Sequence, residues 1–412
     1  MPTLEATEGQ ALLSFTCEAG DLYDAVKDVQ TVLGGREILP ILKTIHLSLQ
    51  GGRLYLSGTD LEVYLTRYLD VTGQASGRAA VAPERLTGLL KNTPEEETII
   101  VQVVKEGGDT FLKLQSQSGA FSEEALDAED HPSDGRLDLY QEKNLVDSTE
   151  PENTLVSQPG SVLGDLLKRA APFVLHQNAS GKEALQFVHL EVLRPDLIIR
   201  ASDGSSLFRA SVNVEGRILS GDVLNGVGHS ILLPRSLCSE VGRFEDESEI
   251  VYSFHEKFAC FSAEGRIVSG QYSHREPLDI DTVLPDDDPM YAFEVEATDL
   301  TDALTRAGCY SHFGKTSSRT KGTCRLGINK DFVTLTARSV EGRLHMRERL
   351  PVEVEVPRAY GPAEGTANFN LTTIRRAISA FGDTARIEFY GAGKPVFLRY
   401  ENRLVAAMPT VQ

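Results

Sequence analysis

Apolar residues at helical spacing recur three times along the chain, and each time an alternating pattern of short strands follows. The predicted helices start at Leu22, Leu163 and Leu300. In each copy apolar residues fall at i, i+3, i+4 and i+7, so they share one helix face that must be buried. The stripes are Leu22, Ala25, Val26, Val29, Val32 and Leu33; Leu163, Leu166, Leu167, Ala170, Phe173 and Val174; and Leu300, Ala303, Leu304, Ala307 and Tyr310. The recurrence predicts an internal repeat in which a helix packs on a sheet.

Two alternating segments separated by turn-forming residues follow each of these helices, which predicts an antiparallel hairpin. The paired segments are 46–49 with 54–56, 190–192 with 197–199, and 326–328 with 333–335. A second helix is predicted from Pro83, Pro234 and Leu371, and a strand after it at 99–104, 250–254 and 387–390.

We therefore predict an α+β fold made of three tandem units, each with two helices packed on antiparallel sheet. The predicted domains are residues 1–152, 153–286 and 287–412.

Composition indicates a large soluble protein. Of its 412 residues 41% are apolar, and no apolar run approaches the ~20 residues that span a bilayer. The first twelve residues have no signal-peptide pattern, and the five cysteines show no CxxC spacing. These features predict a cytoplasmic location with reduced thiols and no membrane partner.

The net charge of −19 is unevenly distributed. Residues 122–153 contain eleven acids against Arg136 and Lys143, and residues 277–289 contain five acids and no base. Both stretches are rich in turn formers, so we interpret them as surface loops, with an acidic insert or linker at about 122–152.

The predicted helices carry the basic residues Lys27, Arg85, Lys91, Lys168, Arg169, Arg235, Arg243, Arg306, Arg375 and Arg376. Two interpretations stay open from the pattern alone. These cations form the solvated side of amphipathic helices, or they contact phosphates of a nucleic acid.

Several segments resemble a known family when they are taken in order. They are GGREILPIL at 34–42, LYLSGTDLEVYL at 54–65, LDAEDHP at 126–132, ASDGSSL at 201–207, VLP at 283–285 and Met408-Pro409 near the end. Together they are similar to the bacterial sliding clamp, the β subunit of DNA polymerase III.

The resemblance implies a head-to-tail homodimer whose six similar units form a ring around duplex DNA. Such a clamp tethers the replicative polymerase and makes it processive, without catalysis and without a cofactor. Polymerase and clamp-loader subunits would bind through short linear peptides. The alternative is a diverged paralogue that acts as a protein-binding scaffold or decoy and does not encircle DNA.

By the same resemblance Arg36, His176 and Gln177 lie near the DNA backbone. Of the helix cations, we assign Lys168, Arg169, Arg235, Arg375 and Arg376 to the DNA-facing set. For Arg36 a second interpretation is open, namely a cation that stabilises a helix C-terminus.

A peptide pocket is also implied, with a wall formed by Leu185, Ser202, Gly204, Ser205, Ser206, Leu207, Thr282, Val283, Met408 and Pro409. The family typically has a His-Arg pair where this chain has Ser205-Ser206, and its tail differs from 410–412 here. We therefore expect a wider pocket with altered peptide preference.

The implied dimer seam places Phe121 and Glu123 opposite Cys309 and Tyr310 of the other subunit. Burying Glu123 without a partner would cost several kcal/mol. We expect a cation nearby, with Lys315, Arg319 and Lys321 as candidates, or else a weaker ring or a monomer.

No catalytic or metal-binding constellation is predicted. Residues 313–317 (FGKTS) suggest a phosphate loop, but Cys309 occupies the position of the required first glycine. Asp60 and Glu62 are interpreted as surface acids on a strand, against a metal site. The nine histidines lack metal-ligand spacing.

Overall fold

The structure is a computed structural model. It describes residues 10–34, 39–117, 119–126, 128–129, 131–133, 155–175, 183–193, 195–214, 218–220, 229–255, 258–273, 275–277, 279–311, 323–329, 331–338, 345–355, 365–381, 384–391 and 393–409.

The helices in these ranges are α1 Ala19–Val29, α2 Pro83–Leu90, α3 Gly160–Ala170, α4 Arg235–Val241, α5 Ala297–Ser311 and α6 Leu371–Ser379. The strands are β1 Gln10–Glu18, β2 Ile45–Gln50, β3 Arg53–Thr59, β4 Val63–Asp70, β5 Thr72–Ala75, β6 Arg78–Val81, β7 Thr98–Glu106, β8 Asp109–Gln115, β9 Ala120–Ala125, β10 Leu155–Pro159, β11 Phe187–Leu193, β12 Asp196–Ser202, β13 Ser206–Asn213, β14 Ile218–Ser220, β15 His229–Pro234, β16 Glu249–His255, β17 Phe258–Ala263, β18 Arg266–Gln271, β19 Tyr291–Glu296, β20 Thr323–Ile328, β21 Phe332–Arg338, β22 His345–Pro351, β23 Val354–Glu355, β24 Gly365–Asn370, β25 Thr384–Phe389, β26 Val396–Tyr400 and β27 Arg403–Ala407.

The first of two compact units comprises Met1–Ser161, Ile218–Asp222 and Phe244–Tyr272. It contains a five-stranded sheet ordered β5-β1-β7-β8-β9 and a nine-stranded sheet ordered β14-β10-β16-β17-β18-β4-β3-β2-β6. Helix α1 contacts α2 and strands β3 and β4.

The second unit comprises Val162–Arg217, Val223–Arg243 and Ser273–Gln412. Its nine-stranded sheet is ordered β15-β11-β12-β13-β27-β26-β25-β19-β23, and its four-stranded sheet β22-β21-β20-β24. Helix α5 contacts α6, β21 and β22, and the Asn370 side chain caps α6 by accepting a hydrogen bond from the Thr372 amide at 2.9 Å.

The predicted helical stripes are confirmed wherever the structure describes their side chains, with one departure. Every stripe residue from Leu163 to Val174 is buried, although Phe173 and Val174 lie beyond the end of α3. The departure is Leu33, which follows a 3-10 turn and is half-buried. The side chain of Tyr310 lies outside the described residues.

The predicted hairpins are confirmed as β2–β3, β11–β12 and β20–β21. Pro234 is not in the first turn of a helix as expected, because it ends β15 and is the N-cap of α4. The predicted domain boundaries at 152 and 286 remain predictions. Residues between them supply strands to both units, for example β16 to the first and β11 to the second.

Two expectations about acidic residues are wrong. Glu123 and Glu124 do not begin a loop, because 120–125 forms β9 and pairs with β8 through its backbone. Asp60 and Glu62 are not on a strand but in the turn between β3 and β4, where the Asp60 carboxylate accepts the amides of Glu62 and Val63 at 2.9 and 2.8 Å. Residues 134–152 lie outside the described ranges.

The described helices include none with the length and apolar character needed to cross a bilayer.

An aromatic cluster lies in the core of the first unit around Tyr252. Its ring centroid is 5.6 Å from that of Phe254 and 5.8 Å from that of Phe261. The Tyr252 hydroxyl is buried and has no hydrogen-bond partner among the described residues. In the second unit Tyr390 provides a contrast, because its hydroxyl donates to Glu388 Oε2 at 2.9 Å. Burial, with the neighbouring Glu388, raises the pKa of Tyr390 to about 12, so this hydroxyl is protonated at neutral pH.

Replacing Tyr252 by Phe should therefore raise the free energy of unfolding by about 1 kcal/mol, since a buried orphan hydroxyl is removed. Replacing Tyr390 by Phe should lower it by about 1.5 to 3 kcal/mol, since Glu388 loses a donor. Urea denaturation of both variants measures the change in the free energy of unfolding, which should be positive for Tyr252→Phe and negative for Tyr390→Phe. Destabilisation by Tyr252→Phe would show that its hydroxyl has a partner.

Candidate functional site

The turn between β12 and β13 organises the predicted pocket in the second unit. Asp203 Oδ1 accepts the backbone amides of Ser205 and Ser206 at 2.9 and 2.8 Å, and both serine hydroxyls as well. The Ser202 hydroxyl accepts the Gly204 amide at 3.1 Å and donates to the Ser206 carbonyl at 2.9 Å. These bonds fix the backbone of the turn, as short polar side chains commonly do.

Gly204 has a φ of +81°, a conformation that costs other residues free energy. An ideal Cβ at this position would lie 3.5 Å from Leu185 Cδ1. The Leu185 side chain therefore lies close to the turn. Leu185 itself is held by its carbonyl, which accepts the Leu175 amide at 2.8 Å.

The last strand of the described chain borders the same turn. Strand β27 pairs with β13 so that Ser206 lies opposite Ala407 and Leu207 opposite Ala406. The Met408 amide then donates to the Ser205 carbonyl at 2.9 Å, which extends the ladder into the turn. Met408 stays 41% exposed although its backbone is fixed.

The segment 279–284 packs beside the turn through two apolar residues. Ile280 packs in one buried cluster with Leu207, and Leu284 packs against that cluster. A 3-10 turn, Asp281–Val283, follows Ile280. Its acidic residue has a structural role, since Arg200 Nη2 and Arg209 Nε pair with Asp281 at 2.9 and 3.1 Å.

Part of the predicted pocket wall is apolar and exposed. Among the described residues, the large apolar side chains that remain exposed are Leu39, Leu61, Leu126, Leu193, Val283 and Met408. Two of these six, Val283 and Met408, belong to the predicted pocket. Exposed apolar residues on a fixed backbone are suited to binding apolar side chains of a partner. Thr282 is exposed on the same segment as Val283, and Pro409, next to Met408, is half-buried.

The predicted DNA-facing residues differ in how free their side chains are. Lys168 on α3 and Arg375 on α6 are exposed, and Arg235, which begins α4, is half-buried. Arg169 is held on its own helix, with Nε at 2.7 Å from both carboxylate oxygens of Asp165. Arg36, His176 and Gln177 lie outside the described residues.

Arg376 is engaged within the second unit. Its Nη2 donates to Asp203 Oδ2 at 2.5 Å and to the Ser206 hydroxyl at 2.6 Å, and its Nη1 donates to the Pro172 carbonyl at 2.9 Å. Burial alone would raise the pKa of the Asp203 carboxyl. The Arg376 guanidinium and the hydrogen bonds from Ser205 outweigh burial and hold that pKa below its ordinary value.

The predicted seam residues Phe121 and Glu123 lie on β9, at the edge of the five-stranded sheet of the first unit. The side chain of Glu123 is only 9% exposed, and Arg85 Nε approaches its Oε1 at 3.9 Å. Its Oε2 is buried without a hydrogen-bond partner among the described residues. Burial raises the pKa of Glu123, and the Arg85 charge opposes that shift only in part.

Arg85 was not among the cations expected near Glu123. The expected ones, Lys315, Arg319 and Lys321, lie outside the described residues. Cys309 is exposed near the end of α5, and its thiol lies 3.6 Å from the Thr305 carbonyl. Tyr310 belongs to the same helix.

The sequence analysis did not include Asp203 among the site residues, although its carboxylate accepts most of the hydrogen bonds that hold the turn. An Asp-Gly pair directly after a strand is a turn signal that could have indicated it. No sequence signal links Arg376 to it, because the two residues are 173 positions apart.

Comparison with known proteins agrees with this architecture. A family profile described as the N-terminal domain of the DNA polymerase III beta subunit matches residues 13–135. The beta sliding clamp of Salmonella typhimurium is 26% identical over 384 residues, which cover 91% of this chain and 92% of that protein. The beta sliding clamp of Escherichia coli K12 is 28% identical over 235 residues, 57% of each chain.

Solved structures resemble the chain along nearly its whole length. The sliding clamp of Pseudomonas aeruginosa bound to griselimycin has a TM-score of 0.79 at 20% identity, and covers 97% of this chain and 100% of its own. The sliding clamp of Bacillus subtilis has a TM-score of 0.78 at 17% identity, with 97% and 99% covered. At these identities the likeness establishes the fold.

The chain is similar to the bacterial sliding clamps over most of its length. Its α+β architecture is the clamp fold, as the sequence predicted. The assignments of single residues to DNA contact, the peptide pocket or the dimer seam remain predictions.

The buried carboxylate on β9 gives this clamp relative a testable pH dependence. A carboxyl whose pKa is raised by folding destabilises the folded chain above that pKa, and the penalty fades as the pH falls towards the ordinary value of 4.5. Glu123→Gln should therefore raise the free energy of unfolding at pH 7 by up to about 1 kcal/mol, with a smaller gain at pH 5.

Urea denaturation of dilute protein at both pH values measures this gain. Glu124→Gln is the matched control, because Glu124 is exposed on the same strand. Equal effects of the two substitutions would contradict the role assigned to burial.

Proposed function

We propose that the chain is a sliding clamp, a head-to-tail homodimer that encircles duplex DNA and tethers the replicative DNA polymerase. It performs no catalysis and uses no cofactor. The observation that carries the proposal is the clamp fold along 97% of the chain. The exposed apolar surface around Met408 and Val283 supports it, because a tether needs a site for partners.

Encirclement suits a protein with a net charge of −19. Such a chain gains little from attraction to phosphates, so a topological link would supply retention while weak contacts permit sliding. The exposed cations Lys168 and Arg375 are the described candidates for those contacts. Arg36, His176 and Gln177 are proposed for the same role.

The proposed partners are DNA polymerase and clamp-loader subunits, which would bind through short peptides with apolar anchors. Met408, Val283 and Leu185 provide adaptable apolar contact area on a fixed backbone. The proposed location is the cytoplasm, where the free thiols of the chain would stay reduced.

Ring closure is proposed to bring Phe121 and Glu123 of one subunit against Cys309 and Tyr310 of the next. Phe121 is half-buried on an edge strand, so a second copy would cover it and occupy the free side of β9.

A second candidate function is a protein-binding scaffold or decoy that does not encircle DNA. The observation that favours it is Glu123, because a buried carboxylate oxygen that has no described hydrogen-bond partner weakens an apolar seam at this strand. The following experiment separates the two.

Loaded onto a nicked circular plasmid by a purified clamp loader, the protein should co-elute with the plasmid in 0.5 M salt, which screens phosphate contacts. Linearising the plasmid should release it, since a ring slides off free ends. Phe121→Arg is the control, because a charge on the edge strand should prevent ring closure and abolish retention. Equal retention on circular and linear plasmid would exclude encirclement, and absence of retention on both would favour the scaffold.

The peptide site is tested separately with Met408→Ala. The loss of contact area should weaken binding of a polymerase-derived peptide with apolar anchors by about 1 to 2 kcal/mol, which is roughly 5- to 30-fold. Leu193→Ala is the matched control, because Leu193 is 46% exposed on the same unit but lies at the opposite end of the β11–β12 hairpin. Calorimetric titration that gives equal affinities for wild type and Met408→Ala would remove Met408 from the site.

A further inference from the structure

The hydrogen-bonded turn that organises the candidate pocket has a second copy among the described residues. In the first unit Thr59 and Asp60 precede Leu61, and in the second unit Ser202 and Asp203 precede Gly204. The third residue has a positive φ in both copies, +77° at Leu61 and +81° at Gly204.

The two turns share the hydrogen bonds that fix their backbone. The Thr59 hydroxyl accepts the Leu61 amide at 2.8 Å and donates to the Val63 carbonyl at 2.8 Å, as Ser202 does towards Gly204 and Ser206. Asp60 Oδ1 accepts two successive amides, as Asp203 Oδ1 does. In both copies these bonds help to set the shape of the local backbone.

The copies differ at the second carboxylate oxygen. Asp203 Oδ2 accepts a hydrogen bond from Arg376, whereas no described cation pairs with Asp60. Only the turn that borders Met408 thus carries an additional anchor from a helix. The two side chains of this pair are 12% and 20% exposed, so solvent screens their attraction far less than that of a surface pair.

Arg376 ties three segments together. Besides Asp203 it holds the Ser206 hydroxyl and the Pro172 carbonyl, and its guanidinium lies 5.2 Å from the centre of the Phe173 ring. Charge-assisted bonds to planar guanidinium are strong and directional, so they restrict the turn in orientation as well as in position.

The neighbouring residue on α6 has no such role. Arg375 is exposed, and its one described side-chain hydrogen bond goes to the Thr305 hydroxyl at 3.3 Å. The two adjacent arginines of α6 therefore differ in how their guanidinium groups are engaged. One is free to meet an external anion, and the other is committed to the turn.

We propose that Arg376 is a positioning residue of the peptide pocket, which fixes the Asp203–Ser206 turn and neutralises its carboxylate, and that it is not a DNA contact. The inference rests on the proposed function of the pocket. Through the turn Arg376 sets the Ser205 carbonyl that holds Met408, and it admits peptides with acidic residues beside their apolar anchors.

Hydrogen exchange tests the positioning without any ligand. In Arg376→Gln the amides of Ser205, Ser206 and Met408 should exchange at least about tenfold faster, since the turn loses its anchor. The amides of Glu62 and Val63, in the copy that lacks the anchor, should not change. Arg375→Gln should leave both turns unchanged. If Arg376→Gln does not fold, Arg376→Lys serves instead, with a smaller increase expected because one donor group replaces the planar fork.

Peptide titration tests the consequence. Arg376→Gln should weaken a neutral peptide with apolar anchors about tenfold and an acidic variant of that peptide more, because Asp203 is then left without its counter-charge. Added salt should narrow the difference between the peptides, which a purely structural loss would not do. Arg376→Lys should restore most of the discrimination, and Arg375→Gln should bind both peptides like the wild type.

Unchanged exchange at Ser205 and Ser206, or equal effects of Arg376→Gln and Arg375→Gln on both peptides, would overturn the inference. If the wild type itself binds neither peptide, the proposed function of the pocket is overturned, whatever Arg376 does to exchange.

Discussion

Two backbone ladders that join distant strands hold this fold together. In the first unit β4 pairs with β18, and in the second β13 pairs with β27. Each ladder joins the two parts of one nine-stranded sheet. Both ladders bring basic residues into the interior. Arg67 lies opposite Arg266 in the first, a juxtaposition of like charges that is unfavourable unless it is compensated.

A helix carboxylate supplies the compensation in each unit. Asp28 of α1 lies 2.8 Å from Arg266 Nε and 3.8 Å from Arg67 Nε. Asp165 of α3 holds Arg403 of β27 at 2.8 Å and Arg169 at 2.7 Å. In each unit an ion pair thus links a helix to a strand of the ladder, α1 to β18 in the first and α3 to β27 in the second. Each pair is largely shielded from solvent. Each of these clusters contains one acid and two bases, so the acidic surplus of the chain lies outside them.

The sequence predicted what depends on local pattern. The stripes of α1, α3 and α5 and the three hairpins follow from spacing, because burial of one face imposes a period that neighbouring residues reveal. The acidic composition from 122 onwards indicated a loop, but residues 122–125 belong to β9 and pair with β8 through the backbone. The sequence also did not predict the β4–β18 and β13–β27 ladders, since register between strands so far apart leaves no local trace.

The candidate site shows the same division. Gly204 and the serines around it could be placed in a turn from their types alone, and the resemblance to clamps supplied the rest of the pocket. The partners of charged side chains could not be placed. Glu123 lies near Arg85 and not near a described cation of the third repeat, and Arg376 faces Asp203, because such pairs are decided by packing of elements that are distant in the chain.

In the first unit the two strands of the β4–β18 ladder are synthesised at widely separated times. Strand β4 ends at Asp70, and its ladder partner β18 begins only at Arg266. At about 5 to 20 residues per second, roughly 10 to 40 s pass on the ribosome before that edge can be covered. During this interval β4 presents unpaired amides and carbonyls beside an apolar core, the kind of edge on which nascent chains aggregate. Folding in the cell therefore depends on how well that nascent edge is kept apart from other chains until the later part of the sequence emerges.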